Sequence, residues 1–271
     1  MDNYAETVLI GASAFSAGFV TAYGKSCVVL EPSILIASEF SASFRNIVTA
    51  DFDALSAEGK KLKDEAVKRN ILNDKKEISI IPMSGMLAER FMEKEVPLLL
   101  NCAIESIEYK DGEYTVSWFG IDGMSSIRCK YVIDTTSAGV LCGNDEEYTK
   151  KLRAMLCSAL GSEPDVYAAE NYTDEGIRII RGRFKGEYVF EAEIPRETGF
   201  GAARELLVRK WERAMENGLS SWRIASISSY FDYEYKNPVC KRVQNYYRIP
   251  SSSYGDVFEA FEGGLSCSIT Q

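Results

Sequence analysis

Two short apolar runs near the N-terminus flank a segment of helical character and predict a strand–helix–strand unit. The runs cover residues 7–10 and 27–30, and both are suited to buried parallel strands. Gly11 directly follows the first run, where a tight turn favours positive φ. Glu31 directly follows the second run, about 20 residues after the turn, where an acidic side chain can accept hydrogen bonds from a ribose. The pattern therefore predicts a dinucleotide-binding βαβ unit.

The glycine motif of such a unit, G-x-G-x-x-G, is incomplete. Gly11, Ser13 and Ser16 stand at its three glycine positions. The second glycine normally lets the backbone approach a pyrophosphate, and the third lets the helix pack closely on the strand. The Ser13 hydroxyl can still donate a hydrogen bond to phosphate, whereas Ser16 affects packing more than chemistry. On this motif alone, a βαβ unit that binds no nucleotide is an equally good interpretation.

The remaining pattern alternates helices with strands and then becomes rich in strands. The pattern first predicts a surface helix with Asp53 as its N-cap and then a second amphipathic helix. Three strand-like segments and a third helix follow. A hairpin that turns at Lys185-Gly186 and a fourth helix complete the prediction. In chain order these predicted elements are residues 54–70, 81–96, 97–109, 113–120, 127–136, 146–160, 177–194 and 199–217.

Composition and charge exclude several classes of function. The chain has 271 residues, a net charge of −9 and no run long enough to span a membrane, so we expect no nucleic-acid partner and no membrane partner. The N-terminus lacks the basic region of a signal peptide, which predicts a cytoplasmic protein. The seven cysteines form no C-x-x-C pair and favour buried free thiols over a metal site.

The chain contains no histidine, so the commonest metal ligand and the commonest general base are both missing. Catalysis would have to use carboxylates, Tyr, Lys, Cys or a bound cofactor. Arg178, Arg181 and Arg183 on the predicted hairpin either recognise an anionic substrate or, as the more frequent case, are solvated charges on an open sheet face.

Three further segments carry a resemblance to a known family. KYVIDTTSAGVLCG (130–143), the helix and strands of residues 81–116, and SSSYGDVFEAFEGGLSCS (251–268) resemble, in family order, segments of FAD-dependent oxidoreductases related in fold to glutathione reductase. The resemblance implies an α/β fold: a Rossmann-like FAD/NAD(P)-binding domain, with a parallel sheet and a β-hairpin crossover, plus a smaller β-rich inserted domain. It implies a dinucleotide-binding domain at residues 1–149 and 251–271, with the inserted substrate-type domain at residues 150–250.

The resemblance also implies roles for individual residues. It places a pyrophosphate against the glycine-motif positions, a ribose on Glu31 and adenine beside Ile104. It places the remainder of FAD beside Thr136 and beside Gly255 with Asp256. The implied cofactor-binding residues are Gly11, Ser13, Ser16, Glu31, Ile104, Thr136, Gly255 and Asp256. Asp256 has an equally good interpretation as an N-cap. Five tyrosines are expected to shape a substrate pocket or, more simply, to pack in an aromatic core: Tyr230, Tyr233, Tyr235, Tyr246 and Tyr247.

The departures from the family pattern are concentrated at cofactor-facing positions. Thr135-Thr136-Ser137 replaces the family's Ala-Thr-Gly, Ala37-Ser38 replaces its paired glycines, and Ala138 and Val140 replace two acids. Together these changes predict altered, weakened or abolished flavin binding. Two functions follow: an FAD-dependent oxidoreductase acting on an unknown small molecule, or a flavin-free pseudoenzyme that keeps the fold as a binding module or subunit. The oligomeric state, including a homo-oligomer, is left open.

Overall fold

The computed structural model describes residues 4–140, 147–158, 165–184, 186–236 and 239–269. Its helices are α1 Ala14–Tyr23, α2 Ala57–Lys68, α3 Met83–Glu93, α4 Val166–Asn171, α5 Phe200–Ala214 and α6 Val257–Ser266. Its strands are β1 Tyr4–Ile10, β2 Cys27–Glu31, β3 Leu98–Leu100, β4 Ala103–Lys110, β5 Glu113–Gly120, β6 Gly123–Asp134, β7 Tyr148–Ser158, β8 Ile177–Arg181, β9 Tyr188–Glu193, β10 Trp222–Ile227, β11 Asp232–Tyr235, β12 Lys241–Val243 and β13 Tyr246–Arg248.

The larger sheet has a parallel centre, as the two N-terminal apolar runs predict. β13, β6, β1, β2 and β3 lie side by side in that order and all run parallel. β4, β5 and the first half of β6 form an antiparallel meander, which confirms the predicted β-hairpin crossover. The structure thus confirms a Rossmann-like α/β fold with a separate antiparallel sheet.

The parallel sheet is covered on both faces, which explains why the sequences of its strands are continuous apolar runs. α1, α3 and α6 bury one face, where Leu9 and Ile133 of the sheet share one core cluster with Phe15 and Phe261 of the helices. The meander covers the other face, with Trp118 in the cluster on that side. Because α6 packs on α1, the last helix returns to the first sheet as the resemblance implies.

The α1–α6 contact depends on two facing glycines. A Cβ at Gly18 would lie 1.9 Å from the Phe261 carbonyl oxygen, and a Cβ at Gly264 would lie 2.0 Å from the Phe15 carbonyl oxygen. We expect Gly18→Val to lower the free energy of unfolding by about 1–3 kcal/mol, because the helices must separate. Denaturant unfolding checks this. The matched control is Gly85→Ala, at an open position of α3, which we expect to gain about 0.5–1 kcal/mol; equal stabilities would contradict the packing argument.

The second sheet has β7 at its centre and α5 on one face. β7 pairs with β9, β10 and β11, and β8 extends the sheet beyond β9. Leu207 and Trp211 of α5 pack against Phe190 of β9 in its core. The predicted hairpin is confirmed in its strands, although Lys185 of its turn lies outside the described residues.

Four expectations from the sequence need correction. The helix predicted at 146–160 is wrong, because described residues 148–158 form strand β7. Ser56, not Asp53, caps α2 by accepting the Gly59 N–H. Residues 241–248 pair with the larger sheet, so the chain returns to it before the boundary placed at residue 250. The six described cysteines are unpaired as expected, but Cys157 and Cys240 are exposed; Cys142 lies outside the described residues.

The division of the chain into two domains stays a prediction. No described helix is long and apolar enough to cross a lipid bilayer.

Candidate active site

Gly11 forms the turn between β1 and α1, and only glycine fits there. Its φ is 99°, and a Cβ would lie 2.7 Å from the Thr135 Oγ1 atom. The Gly11 N–H donates to the Leu30 carbonyl at 2.8 Å, which fixes the turn against β2. The sequence motif therefore identifies a real constraint at its first glycine.

The two serines of the motif build a hydroxyl network under this turn. Ser13 caps α1 by accepting the Ser16 N–H at 3.0 Å, and the Ser13 hydroxyl lies 2.9 Å from Thr135 Oγ1. The Ser16 hydroxyl donates to the Gly11 carbonyl at 2.7 Å and is fully buried. The side chains that replace glycine thus hold the turn together, and Ser16 lies beneath the cavity surface.

Glu31 lies at the carboxyl end of β2 and faces the same turn. Its Oε2 atom accepts the Ala12 N–H at 2.6 Å, and its Oε1 atom accepts the Ser33 N–H at 2.8 Å. A carboxylate has about four acceptor positions, so two further hydrogen bonds can reach it from the cavity that it lines.

Asp134 organises the segment after β6, and sequence reasoning did not single it out. Its Oδ1 atom accepts the Thr136 N–H at 3.0 Å and the Thr136 hydroxyl at 2.6 Å. Its Oδ2 atom accepts the Val140 N–H and the Tyr246 hydroxyl. The carboxylate is fully buried and holds residues 136–140 at the mouth of the cavity. Its position at the end of an apolar strand is a signal that could have identified it.

Gly11, Ser13, Glu31 and the segment of residues 136–140 line one cavity of about 460 Å³ between the two sheets. The first sheet contributes its carboxyl edge, which is where ligands bind in open parallel sheets. The residues that line the cavity are Gly11, Ser13, Glu31, Pro32, Ser38, Glu39, Thr135, Thr136, Ser137, Ala138, Gly139, Val140, Phe200, Ser229, Tyr230, Phe231 and Tyr233.

The second layer supplies an aromatic wall. Phe231 lies at its centre, with its ring centroid 5.2 Å from that of Phe200 and 6.3 Å from that of Tyr233. The Lys150 ammonium lies 4.0 Å from the Phe231 centroid and donates to two main-chain carbonyls, and burial lowers its pKa. Mostly apolar walls with few polar groups are typical of small-molecule sites.

Only part of the predicted site meets at this cavity. Gly11, Ser13, Glu31 and Thr136 line it, as do two of the five tyrosines, Tyr230 and Tyr233. The other three tyrosines bond elsewhere: Tyr235 to the Ser137 carbonyl, Tyr246 to Asp134 and Tyr247 to the Ile269 carbonyl. The three arginines Arg178, Arg181 and Arg183 also lie outside the lining.

Ile104, Gly255 and Asp256 lie outside the cavity lining as well. Ile104 pairs with Trp118 in the meander and packs on its core. The Asp256 carboxylate caps α6 through the Phe258 and Glu259 N–H groups and also accepts the Thr49 and Ala50 N–H groups. Asp256 therefore acts as the N-cap that the sequence left open, and its contact with a cofactor stays a prediction.

Glu39 is the second acid of the cavity, and no sequence pattern singled it out. Its Oε1 atom accepts the Ala14 N–H at 2.9 Å and the Ser251 hydroxyl at 2.7 Å. Burial foremost, and the charge of Glu31 in addition, raise the pKa of the Glu39 carboxyl above its usual value. Ala37, two residues before Glu39, has a φ of 51°, which lies in the left-handed region that glycine adopts without strain. A contact between residues 39, 14 and 251 is not visible in a local pattern.

Comparison with known proteins finds similar folds among solved structures only. No protein-family model matches the sequence, and no curated protein matches it. Similar solved structures include p-nitrophenol 4-monooxygenase PnpA from Pseudomonas putida, at 12% identity and a TM-score of 0.63, over 98% of this chain and 77% of that one. A geranylgeranyl bacteriochlorophyll reductase-like protein from Thermoplasma acidophilum matches at 10% identity and a TM-score of 0.60, over 96% and 76%.

A third similar structure is a complex of aklavinone-11 hydroxylase with FAD and aklavinone. It matches at 10% identity and a TM-score of 0.57, over 92% of this chain and 57% of that one. The chain thus spans little more than half the length of that hydroxylase. The chain thus shares the fold of these three proteins, while the relation to FAD-dependent oxidoreductases, and to glutathione reductase in particular, stays a prediction.

Proposed function

We propose that the protein is an FAD-dependent oxidoreductase that acts on a small molecule in the cavity between its two sheets. One observation carries the proposal: the Gly11 turn, the start of α1, Glu31 and Thr136 converge in one cavity at the carboxyl edge of the parallel sheet. Two of the similar structures are named as a monooxygenase and an FAD-bound hydroxylase, which supports the same chemistry.

The residues present fit the nucleoside half of FAD. Because a Cβ at residue 11 would collide with Thr135, only glycine allows the tight turn at this position. This turn lies next to Glu31 at the cavity. Glu31 would accept hydrogen bonds from the ribose, and the Ser13 and Thr136 hydroxyls would lie along the cofactor. When bound, FAD supplies the hydride or electron transfer. The aromatic wall of Phe200 and Phe231 would hold an apolar substrate and keep water away from it.

The absorption spectrum of the purified protein tests the proposal, together with titration of added FAD. We expect Glu31→Ala to weaken FAD binding by about 10- to 100-fold, because charge-assisted hydrogen bonds to the ribose contribute roughly 1.5–3 kcal/mol. Glu108→Gln is the control, since it also removes one acidic charge but on an exposed residue of β4. Equal FAD affinities in all three proteins would contradict the role of Glu31.

A flavin-free binding protein is the second candidate, and the hydroxyl network under the turn favours it. Ser13 fills the position where a glycine would leave the backbone open to a pyrophosphate, and Ser16 fills the position where a glycine would favour close helix packing. A colourless protein whose melting temperature is unchanged by FAD, but which binds an apolar small molecule in the cavity, would support this candidate and contradict the first.

A further inference from the structure

Glu39 directs its carboxylate at the first turn of α1 from inside the fold. The Glu39 side chain is only 6% exposed, and its Oε1 atom accepts the N–H of Ala14, the first residue of the helix. The same oxygen accepts the Ser251 hydroxyl, and the Ser251 oxygen in turn accepts the Phe15 N–H at 3.3 Å. One carboxylate therefore holds the first helical amide directly and the second through a serine.

A helix N-terminus attracts anions because its first amides lack partners within the helix and its dipole is positive there. In a dinucleotide-binding unit, the pyrophosphate takes this position. Here a side chain of the protein already accepts the hydrogen bonds at the start of the helix. A phosphate at the same place would have to displace a buried, doubly hydrogen-bonded carboxylate.

The charge of the cavity opposes a phosphate as well. Glu31 and Glu39 both line the cavity, and none of its described lining residues is Lys or Arg. Each acid already accepts a main-chain N–H from the turn or from the helix start, Ala12 for Glu31 and Ala14 for Glu39. A diphosphate would add its own negative charges next to these two acids, and no residue of the described lining carries a positive charge to balance them.

We propose that the Glu39 carboxyl group occupies the phosphate position of the dinucleotide site and weakens the binding of phosphate-bearing ligands until it is neutralised or displaced. This inference rests on the proposed function, because it concerns the same cavity. It explains how the chain keeps the ribose acid and the Gly11 turn, yet has lost the glycines beside the phosphate. Glu39 acts on binding as a selectivity residue and takes no part in the chemistry.

Glu39→Gln tests the proposal, because glutamine keeps the size of the side chain and an oxygen that can accept the Ala14 N–H. Isothermal titration calorimetry with FAD, and separately with ADP, measures affinity without relying on activity. At a pH above the raised pKa of Glu39, we expect both ligands to bind Glu39→Gln at least about tenfold more tightly than the unmodified protein, since a like charge is then removed from beside the phosphates. Glu108→Gln, which removes the same charge from an exposed strand residue, should not change either affinity.

The two ligands separate failure of this inference from failure of the proposed function. Equal, tight FAD binding by the unmodified protein and by Glu39→Gln would overturn the inference and leave the proposed function standing. A gain for ADP without a gain for FAD would support the role of Glu39 and contradict an FAD site. Absence of binding of both ligands to both proteins would overturn both, and circular dichroism of Glu39→Gln confirms that the variant is folded.

Discussion

We expect Asp232→Asn to lower the free energy of unfolding by about 3–5 kcal/mol, because it breaks a buried ion cluster and leaves its three cations with one acid fewer. Asp232 is 1% exposed and lies between two guanidinium groups. Its Oδ1 atom accepts from the Arg45 Nε at 2.6 Å, and its Oδ2 atom lies 2.6 Å from the Arg153 Nη2. Denaturant unfolding at neutral pH measures the loss.

The cluster continues along β7 and balances its charges. Arg153 also contacts Glu191 at 2.5 Å, Lys151 lies 2.9 Å from Glu191, and Lys151 pairs further with Glu234. Three cations, counting Arg45, thus meet three acids, counting Asp232. Because all but Glu234 are buried, removal of one member leaves the opposite charge without compensation.

The effect of Asp232→Asn should depend on pH in a defined direction. Burial would raise the pKa of Asp232, but the charges of Arg153 and Arg45 outweigh it and hold that pKa below its usual value. A carboxyl with a lowered folded-state pKa stabilises the protein above its unfolded-state pKa, about 3.9, and loses that contribution as the pH falls through the folded value. The stability difference between the two proteins should therefore be full at pH 7 and shrink below about pH 4.

Lys236→Ala serves as the control. Lys236 pairs with Glu147 at 2.8 Å, but both side chains are more than 70% exposed, so solvent screens the pair. We expect no measurable change in unfolding free energy from this variant. A loss in Lys236→Ala equal to that in Asp232→Asn would show that burial of the cluster is not what stabilises the fold.

The same cluster explains why β7 was not predicted from sequence. Lys150, Lys151 and Arg153 interrupt the apolar residues at a spacing that favours a surface helix, yet the structure buries all three. The acidic partners of Lys151 and Arg153, Glu191 and Asp232, lie about 40 and 80 residues further along the chain, and Lys150 donates to the Arg196 and Thr198 carbonyls. A local pattern predicts burial from apolar side chains alone, so it fails where distant opposite charges make a buried charge favourable.

The N-terminal unit was predictable because its determinants are local. The two apolar runs, the Gly11 turn and the acid at Glu31 lie within 31 residues, and their contacts join positions only about 20 residues apart. Glu39 was not predictable for the opposite reason, since its contacts join residues 14, 39 and 251. The sequence therefore indicates where the cavity lies better than it indicates the charge inside it.

Arg45 connects the ion cluster to the segment that carries Glu39. Its guanidinium donates to Asp232 of the second sheet, to the Tyr233 carbonyl, and to the Ser252 and Tyr254 carbonyls, which lie between β13 and α6. One buried side chain thus holds three parts of the chain together beside the cavity.

We expect Arg45→Met to lower the free energy of unfolding by about 3–5 kcal/mol, because it leaves Asp232 without one cation and three carbonyls without a donor.

Hydrogen exchange gives the more specific readout. The amides of residues 40–46 and 251–254, and the Ala14 amide that donates to Glu39, should exchange faster by more than the global loss explains, since the segment around Glu39 is released from the second sheet. Arg209→Met, at an exposed residue of α5, should leave this exchange unchanged. A uniform acceleration in Arg45→Met, matched to its global loss, would mean that Arg45 stabilises the whole fold and does not specifically hold the Glu39 segment against α1.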